Sequence, residues 1–304
     1  MKKLMAIVLT VSFLIGSLSI VASAEPIKAD QLMTKVEFAE SLSSEYKPGF
    51  ANSPEDQARY EYVSKYLAGD TIYSELMTFS SKGNKLTLAD EKLNSLGFYV
   101  YSHNEPTIVP TSDGGDIKLN DAIIMYDSYN NGWLVGGGGY WRNTNWQDDS
   151  FLSGFWGMPW AGATQNIGGH DGVGVALYNT SGQKPRLIRS SAYVHDGNGR
   201  SKDYYNPMNL DTSIGVFFDF QDYLYLKDSY VVWGNITYMG YGFSATALYD
   251  SSFANYNGRA RTYYAHTWDN TNVTSVGITD SGFSIGFSHD KSRFTIYQTG
   301  ETSF

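Results

Sequence analysis

Hydrophobic and polar positions change their rhythm once along this chain. Up to about residue 97 the apolar residues recur at helical spacing, and beyond it they alternate, so helices are expected first and strands afterwards. Asp30 stands where an N-cap would open a helix with Leu32, Val36, Ala39 and Leu42 on one face. Ser53-Pro54-Glu55-Asp56 supplies an N-cap, a proline at the first helical position and acids in the first turn, and Tyr62, Val63, Tyr66 and Leu67 form a stripe that ends at Gly69. Thr87-Leu88-Ala89-Asp90 repeats the start signal, with Ala89, Leu93 and Leu96 on one face and Gly97 as the stop. Residues 71–80 fit helix or strand equally.

The alternating part predicts strands at 98–102, 122–126, 133–141, 172–178, 186–194, 214–220, 230–238, 242–249, 262–267, 273–278, 283–288 and 294–298. Asp113-Gly114-Gly115, Asp171-Gly172, Asp196-Gly197, Asn257-Gly258 and Ser281-Gly282 are read as turns or bulges. The expected fold is mainly β (α+β): a short N-terminal helical region over 25–97, then an antiparallel β-sandwich or barrel of about a dozen strands over 98–304. The helical region reads as one layer packed on the sheet, with a separate cap or a removable pro-segment as alternatives.

Residues 1–24 change the picture of where the protein works. Lys2 and Lys3, an apolar run from Leu4 to Val21, and Ala22-Ser23-Ala24 have the pattern of a secretory signal peptide. Its removal takes the formal charge from −9 to −11, which disfavours nucleic acid and anionic lipid as partners because both reward clustered Lys and Arg. The absence of cysteine fits a bacterial exported protein of sufficient length to build a core without disulfides. The expected location is secreted and extracellular. Tyr (24), Phe (16) and Gly (31) are abundant and only 17% of residues are charged, which suits short strands and tight turns.

The densest stretch is 131–178, with five of the seven Trp residues and four consecutive glycines, Gly136 to Gly139. Such a run marks close approach of other backbone or of a ligand. Trp133, Trp141, Trp146, Trp156 and Trp160 fit either the core of a cysteine-free β protein or the lining of a groove. Trp146, Trp156 and Trp160 are candidates to stack on sugar rings or to sit at a lipid headgroup boundary, Trp156 and Trp160 especially because Gly157 and Pro159 mark a loop.

Candidate chemistry is sparse. His170-Asp171, His195-Asp196 and His289-Asp290 offer metal-ligand types, with His170 and His195 the candidates, but the spacings match no zinc signature and adjacent strand residues point apart. Asp196-Gly197-Asn198-Gly199 begins like a calcium loop and fails where Arg200 and Pro207 should be oxygen donors. Asp148 and Asp149 beside Trp146, or Asp219 and Asp222, are the carboxylates available for glycan hydrolysis, which needs two facing carboxyls. No nucleophile elbow and no phosphate-binding loop occurs, so the chain points away from an enzyme and no cofactor is expected.

Around Asp280-Ser281-Gly282 one arm carries Val276 and Ile278 and the other alternates Phe283, Ile285 and Phe287 with Ser284, Gly286 and Ser288. One apolar and one small polar face suits an ordinary half-buried hairpin and also a membrane-inserting one, and arms of about eight residues, short of the ~9–11 that span a bilayer, favour the ordinary hairpin. Tyr264-Ala265-His266-Thr267-Trp268, Thr274-Ser275-Val276 and Gly282-Phe283-Ser284-Ile285 resemble the tail of secreted Gram-positive proteins of the geobacillin type. That resemblance covers about the last forty residues and implies a secreted, non-enzymatic antimicrobial protein; it brings no functional residues with it. The sequence therefore points to a secreted binding protein acting at a cell surface, bacteriocin-like, whose partner is a cell-surface component or glycan with membrane contact. The alternative is a secreted glycan-binding or glycan-hydrolysing protein.

Overall fold

A computed structural model describes residues 33–70, 88–102, 115–144, 162–178, 180, 184–211, 214–227, 236–269, 271–279, 282–289, 292–297 and 302–304. The protein is mainly antiparallel β. The first sheet runs in the order β1 (Phe98–Ser102), β3 (Ile123–Asp127), β4 (Gly132–Trp141), β11 (Gly242–Tyr249), β6 (Leu187–His195) and β7 (Ser201–Tyr204), with β2 (Ile117–Leu119) also on β4. The second runs β10 (Ile236–Met239), β9 (Gly215–Leu226), β5 (Thr164–Tyr178), β12 (Arg259–Thr267) and β15 (Arg293–Tyr297), with β8 (Asn209–Asp211) on β9 and β16 (Thr302–Ser303) on β12. A separate two-stranded ribbon joins β13 (Val273–Thr279) to β14 (Gly282–Phe287).

The two sheets face each other across an aromatic core in which Trp133, Trp141, Phe218, Phe220, Phe243 and Tyr264 are all buried. Phe243 and Tyr264 stack with centroids 3.9 Å apart, and Trp141 Nε1 donates to Tyr264 Oη at 3.3 Å. Trp133 and Trp141 are thus interior residues.

The glycine run explains how the layers close. Leu134 faces the helices, so by strand alternation Gly136 and Gly138 do as well, while Gly137 faces the other sheet. A Cβ on Gly137 would overlap the Thr262 side chain on β12. One on Gly138 would overlap the Phe243 carbonyl and stand 2.6 Å from that of Leu67, and one on Gly136 would stand 2.5 Å from Leu67 Cδ1. What approaches these glycines is the protein's own backbone and side chains.

The outer face of the first sheet is covered by helices α2 (Pro54–Leu67) and α3 (Leu88–Ser95), while α1 (Lys35–Ser41) sets Phe38 against Trp133 and Tyr101 at the margin of the inter-sheet core. Helix α2 begins as its sequence dictates: the Ser53 side chain accepts from Asp56 N, Pro54 is the first helical residue, and Gly69 follows the end at φ +66°. Tyr60, Val63, Leu67 and Leu93 pack on Met125, Leu134 and Leu248 of the sheet. Arg59 is buried between Asp56 (2.9 Å) and Asp127 (2.6 Å), and Tyr60 Oη donates to Asp127 Oδ2 at 2.5 Å, so charge as well as apolar area joins α2 to the sheet.

Four expectations need correction. Helix α1 is capped by Thr34, whose side chain and that of Glu37 form a capping box; starting there, it leaves Val36 exposed instead of buried. Asp171-Gly172 is no turn but the middle of β5, because the Asp171 carboxylate is satisfied inside the protein and Gly172 makes room for the Phe217 ring. Strands β5 and β9 start earlier or run later than their apolar cores, held by cross-strand pairing of polar positions such as Thr164 with Tyr225. The short strands β2, β7, β8 and β16 carry too few residues to show a period.

Gly138→Ala should lower stability by about 1–3 kcal/mol, since neither carbonyl beside it has room to move. Gly115→Ala, with nothing within 4 Å of the added methyl, should leave the denaturant midpoint unchanged; equal effects of the two would refute the close-approach explanation.

Candidate functional site

The ribbon β13–β14 belongs to neither large sheet, yet it grows out of one. Strand β12 pairs with β15 from Tyr263↔Tyr297 to Thr267↔Arg293. One step further, Trp268 N donates to Ser292 O at 2.9 Å, and four steps beyond that Ser288 N donates to Asn272 O at 2.9 Å, followed by Val273↔Phe287. Each step moves one residue along each arm, so the sheet ladder and the ribbon share one register across the bend. Only between Val273 and Ser275 does a bulge shift it by one.

The bend itself is a constrained structure. Asp269 and Ser292 hold left-handed backbone at φ +56° and +65°, uncommon for residues with a side chain, and Ser292 Oγ donates to Asp269 Oδ2 at 2.8 Å. Beneath the bend, β5 is bulged between Asn166 and His170. A Cβ on Gly169 would overlap the Thr271 carbonyl, and His170 N donates to Asn272 Oδ1 at 3.0 Å. Glycine at 169 is therefore what seats the folded-back ribbon.

Folded back, the ribbon lies on the outer face of the second sheet. Val273 and Val276 are buried and Ile278, Phe283, Ile285 and Phe287 are half-buried, packed with Phe217, Ala265 and Met208. The Phe283 ring meets Phe217 at 5.5 Å and Tyr263 at 4.4 Å. The opposite side shows Thr274, Ser275, Gly277, Thr279, Ser284 and Ser288 to solvent. No charge occurs from Asn270 to Thr279 or from Ser281 to Ser288. Phe283, Ile285 and Phe287 lie in a half-buried hairpin, attached to the sandwich by side-chain packing and by the hydrogen bond from His170 N to Asn272 Oδ1.

The histidines separate rather than converge. His170 on β5 is half-exposed and its Nδ1 lies 2.8 Å from Asp219 Oδ2; that hydrogen bond raises the imidazole pKa and lowers that of the carboxyl. His195, on the other sheet, is buried: Nε2 lies 3.2 Å from Ala68 O and Nδ1 accepts from Gly197 N at 3.0 Å. Burial lowers its pKa. The two do not form a common site. Asp196 Oδ1 accepts from Asn198 N and Arg200 N, which makes its loop a turn and agrees with the failed calcium pattern. Asp219 and Asp222 also part company, because an odd separation on β9 sends them to opposite faces, Asp222 into the core.

The histidine whose role was not read from sequence is His266. Its ring, with Asp171 and Asp222, offers ligand atoms within 4.8 Å of one another, all buried. Asp171 is already engaged: Oδ2 lies 2.6 Å from Tyr264 Oη and 2.8 Å from His266 Nδ1, and Oδ1 accepts from Thr267 N at 2.7 Å. This network ties β5 to β12 as a satisfied polar core. Trp146, Trp156, Trp160, Asp148 and Asp149 lie outside the described residues.

A second feature escaped the sequence altogether. On the outer face of the first sheet, beside α2, a groove of about 700 Å³ runs between the helix and β6, with Tyr205 (70% exposed) and Ile188 (53%) in its lining. Its polar residues come from four separate elements, which no local motif could reveal.

No family model matches the chain, and no curated protein matches it. Among solved structures the chain is similar to Clostridium perfringens delta-toxin at 7% identity, over 66% of this chain and 88% of that one, with a TM-score of 0.24. A likeness of that size leaves function to be argued from the chain's own geometry.

The two histidines predict opposite pH effects. His170, with its pKa raised by folding, adds stability that is complete below the unfolded value near 6.5 and is lost as pH rises through the folded value. His195, with its pKa lowered, costs stability as pH falls below about 6.5, because the unfolded chain takes up the proton first. In urea titrations, His170→Gln should remove a gain seen on acidifying towards 6.5, and His195→Gln should flatten the loss below it by up to one proton. Unchanged slopes in both variants would contradict these assignments.

Proposed function

We propose that this is a secreted, non-enzymatic protein that acts at a cell surface by inserting the ribbon 268–292 into a lipid bilayer, a bacteriocin-like activity. The observation that carries the reading is the shared register of the ladder on both sides of the bend. Swinging the ribbon about Asp269 and Ser292 needs no slip of pairing, and the arms projecting beyond the sheet, 268–279 and 282–292, are then 12 and 11 residues long, with the charges Asp269, Asp290 and Lys291 at their base. A spanning β-strand needs about 9–11 residues. The seven and six residues of β13 and β14 alone would fall short.

The side chains suit both states. The face that packs on Phe217 and Tyr263 would turn to lipid, and the uncharged Ser, Thr and Gly face would line water between neighbouring ribbons. Trp268 stands at the base, where an amphipathic ring suits the headgroup layer. Closed β-structure is required in a bilayer because open strand edges go unsatisfied there, so several copies would have to associate. The resemblance of the tail to geobacillin-type proteins supports a bacterial target and a role in competition.

The chain has no cysteine, so one introduced thiol is a unique probe. With an environment-sensitive dye, Ile285→Cys should shift to the blue on liposomes made from bacterial lipids while Ser284→Cys should not. Ile285→Lys should reduce release of an entrapped dye by roughly a hundredfold, in line with about 2–4 kcal/mol for a cation at the bilayer midplane. Ser284→Lys on the water-facing side should release dye nearly as well. Absence of dye release by the folded parent protein, or loss in both Lys variants while both remain folded, would overturn the proposal.

A further inference from the structure

The groove beside α2 belongs to a different face and a different chemistry from the ribbon. Gln57 and Glu61 of α2, Arg189 and Ser191 of β6, and Asp203 of β7 contribute polar groups to its lining, with Tyr205 after β7 at the rim. A volume of about 700 Å³ lies within the range of small-ligand clefts. Tyr205 and Ile188 are two of the four large apolar side chains the described residues leave exposed, and both occur here. An exposed phenol ring among hydroxyl, amide and carboxyl groups has the donor, acceptor and flat apolar surface that a pyranose ring requires.

Charge narrows the ligand. The Arg189 guanidinium is engaged inside the protein: it lies 3.3 Å from the centre of the Tyr60 ring and Nη1 is 3.1 Å from Asp56 Oδ2. Glu61 and Asp203 are close enough to interact, and burial together with the Glu61 charge pushes the Asp203 carboxyl above its usual range. Glu61 is itself paired with Lys65 one helical turn along. A groove that holds two carboxylates and commits its guanidinium internally disfavours sulfated, phosphorylated or uronic polymers. It favours hydroxyls and ammonium groups.

We infer that this groove is a binding site for an oligosaccharide that is neutral or carries free amino groups, with Tyr205 as the stacking platform and Asp203 as the carboxylate that selects for the amine. Such glycans are cell-surface material, so the site would hold the protein at its target. The inference does not depend on membrane insertion, because the groove and the ribbon occupy the outer faces of different sheets.

The test is calorimetric titration of the full mature chain with glucosamine oligomers, their fully N-acetylated counterparts and a sulfated oligosaccharide of equal length. The expected result is saturable binding of the first two, no binding of the third, and at least a tenfold loss in Tyr205→Ala. Asp203→Asn should bring the affinity for the free-amine oligomer down to that of the acetylated one. Tyr205 is exposed, so its variant should keep the parent melting temperature. Absence of binding by the folded parent protein, preference for the sulfated glycan, or affinity unchanged in Tyr205→Ala would each overturn the inference. Dye release in the same preparations reads the ribbon independently, so failure at one site is distinguishable from failure at the other.

Discussion

Three layers of this protein meet at one strand that has almost no side chains at the point of contact. Strand β4 is hydrogen-bonded to β2, β3 and β11, so it cannot move aside, and Gly136 to Gly138 let α2 press on one face of it and β12 on the other, while Gly139 makes room for the Lys118 carbonyl of β2. Glycine in a strand costs conformational entropy and packs poorly, which is why a run of four needs a reason. The reason is distance. With side chains there, Leu67 and Thr262 could not both reach the strand, and the aromatic core between the sheets would lose its fit.

Close layers then fix what the buried charges do. Arg59 joins α2 to β3 through Asp127, and Asp171 gathers Tyr264, His266 and Thr267 from β12 onto β5. Desolvating such groups costs as much as their attraction returns, so they add less to stability than to specificity; once buried, each must keep its partners. They hold α2 on the first sheet and lock β5 to β12 within the second.

The ribbon contrasts with all of this. Its strands pair with each other and with neither large sheet, its described contacts are aromatic and aliphatic side chains together with the hydrogen bond from His170 N to Asn272 Oδ1 at its base, and its bend stores left-handed backbone at two residues with side chains. Elements attached in that way open at lower free energy than the strands beneath them. The ribbon lies packed on the outer face of one sheet, and a groove with Tyr205, Glu61 and Asp203 in its lining lies on the outer face of the other.

Periodicity and local cap signals determined where the longer strands lie and the helix boundaries at Ser53 and Gly69, because alternation, N-capping and glycine stops are local physics. The amphipathic character of Phe283, Ile285 and Phe287 was equally legible, and so was the close approach at Gly136 to Gly139, though not what approaches. Other features depended on residues far apart in sequence. Asp171-Gly172 looks like a turn until β9 and β12 surround it, His266 gains its role only from Asp171 nearly a hundred residues earlier, and the groove assembles Glu61, Arg189 and Asp203 from separate elements. The shared register across the bend also needed tertiary structure. Strand pairing is a relation between two segments, and no property of either segment by itself specifies which residue faces which.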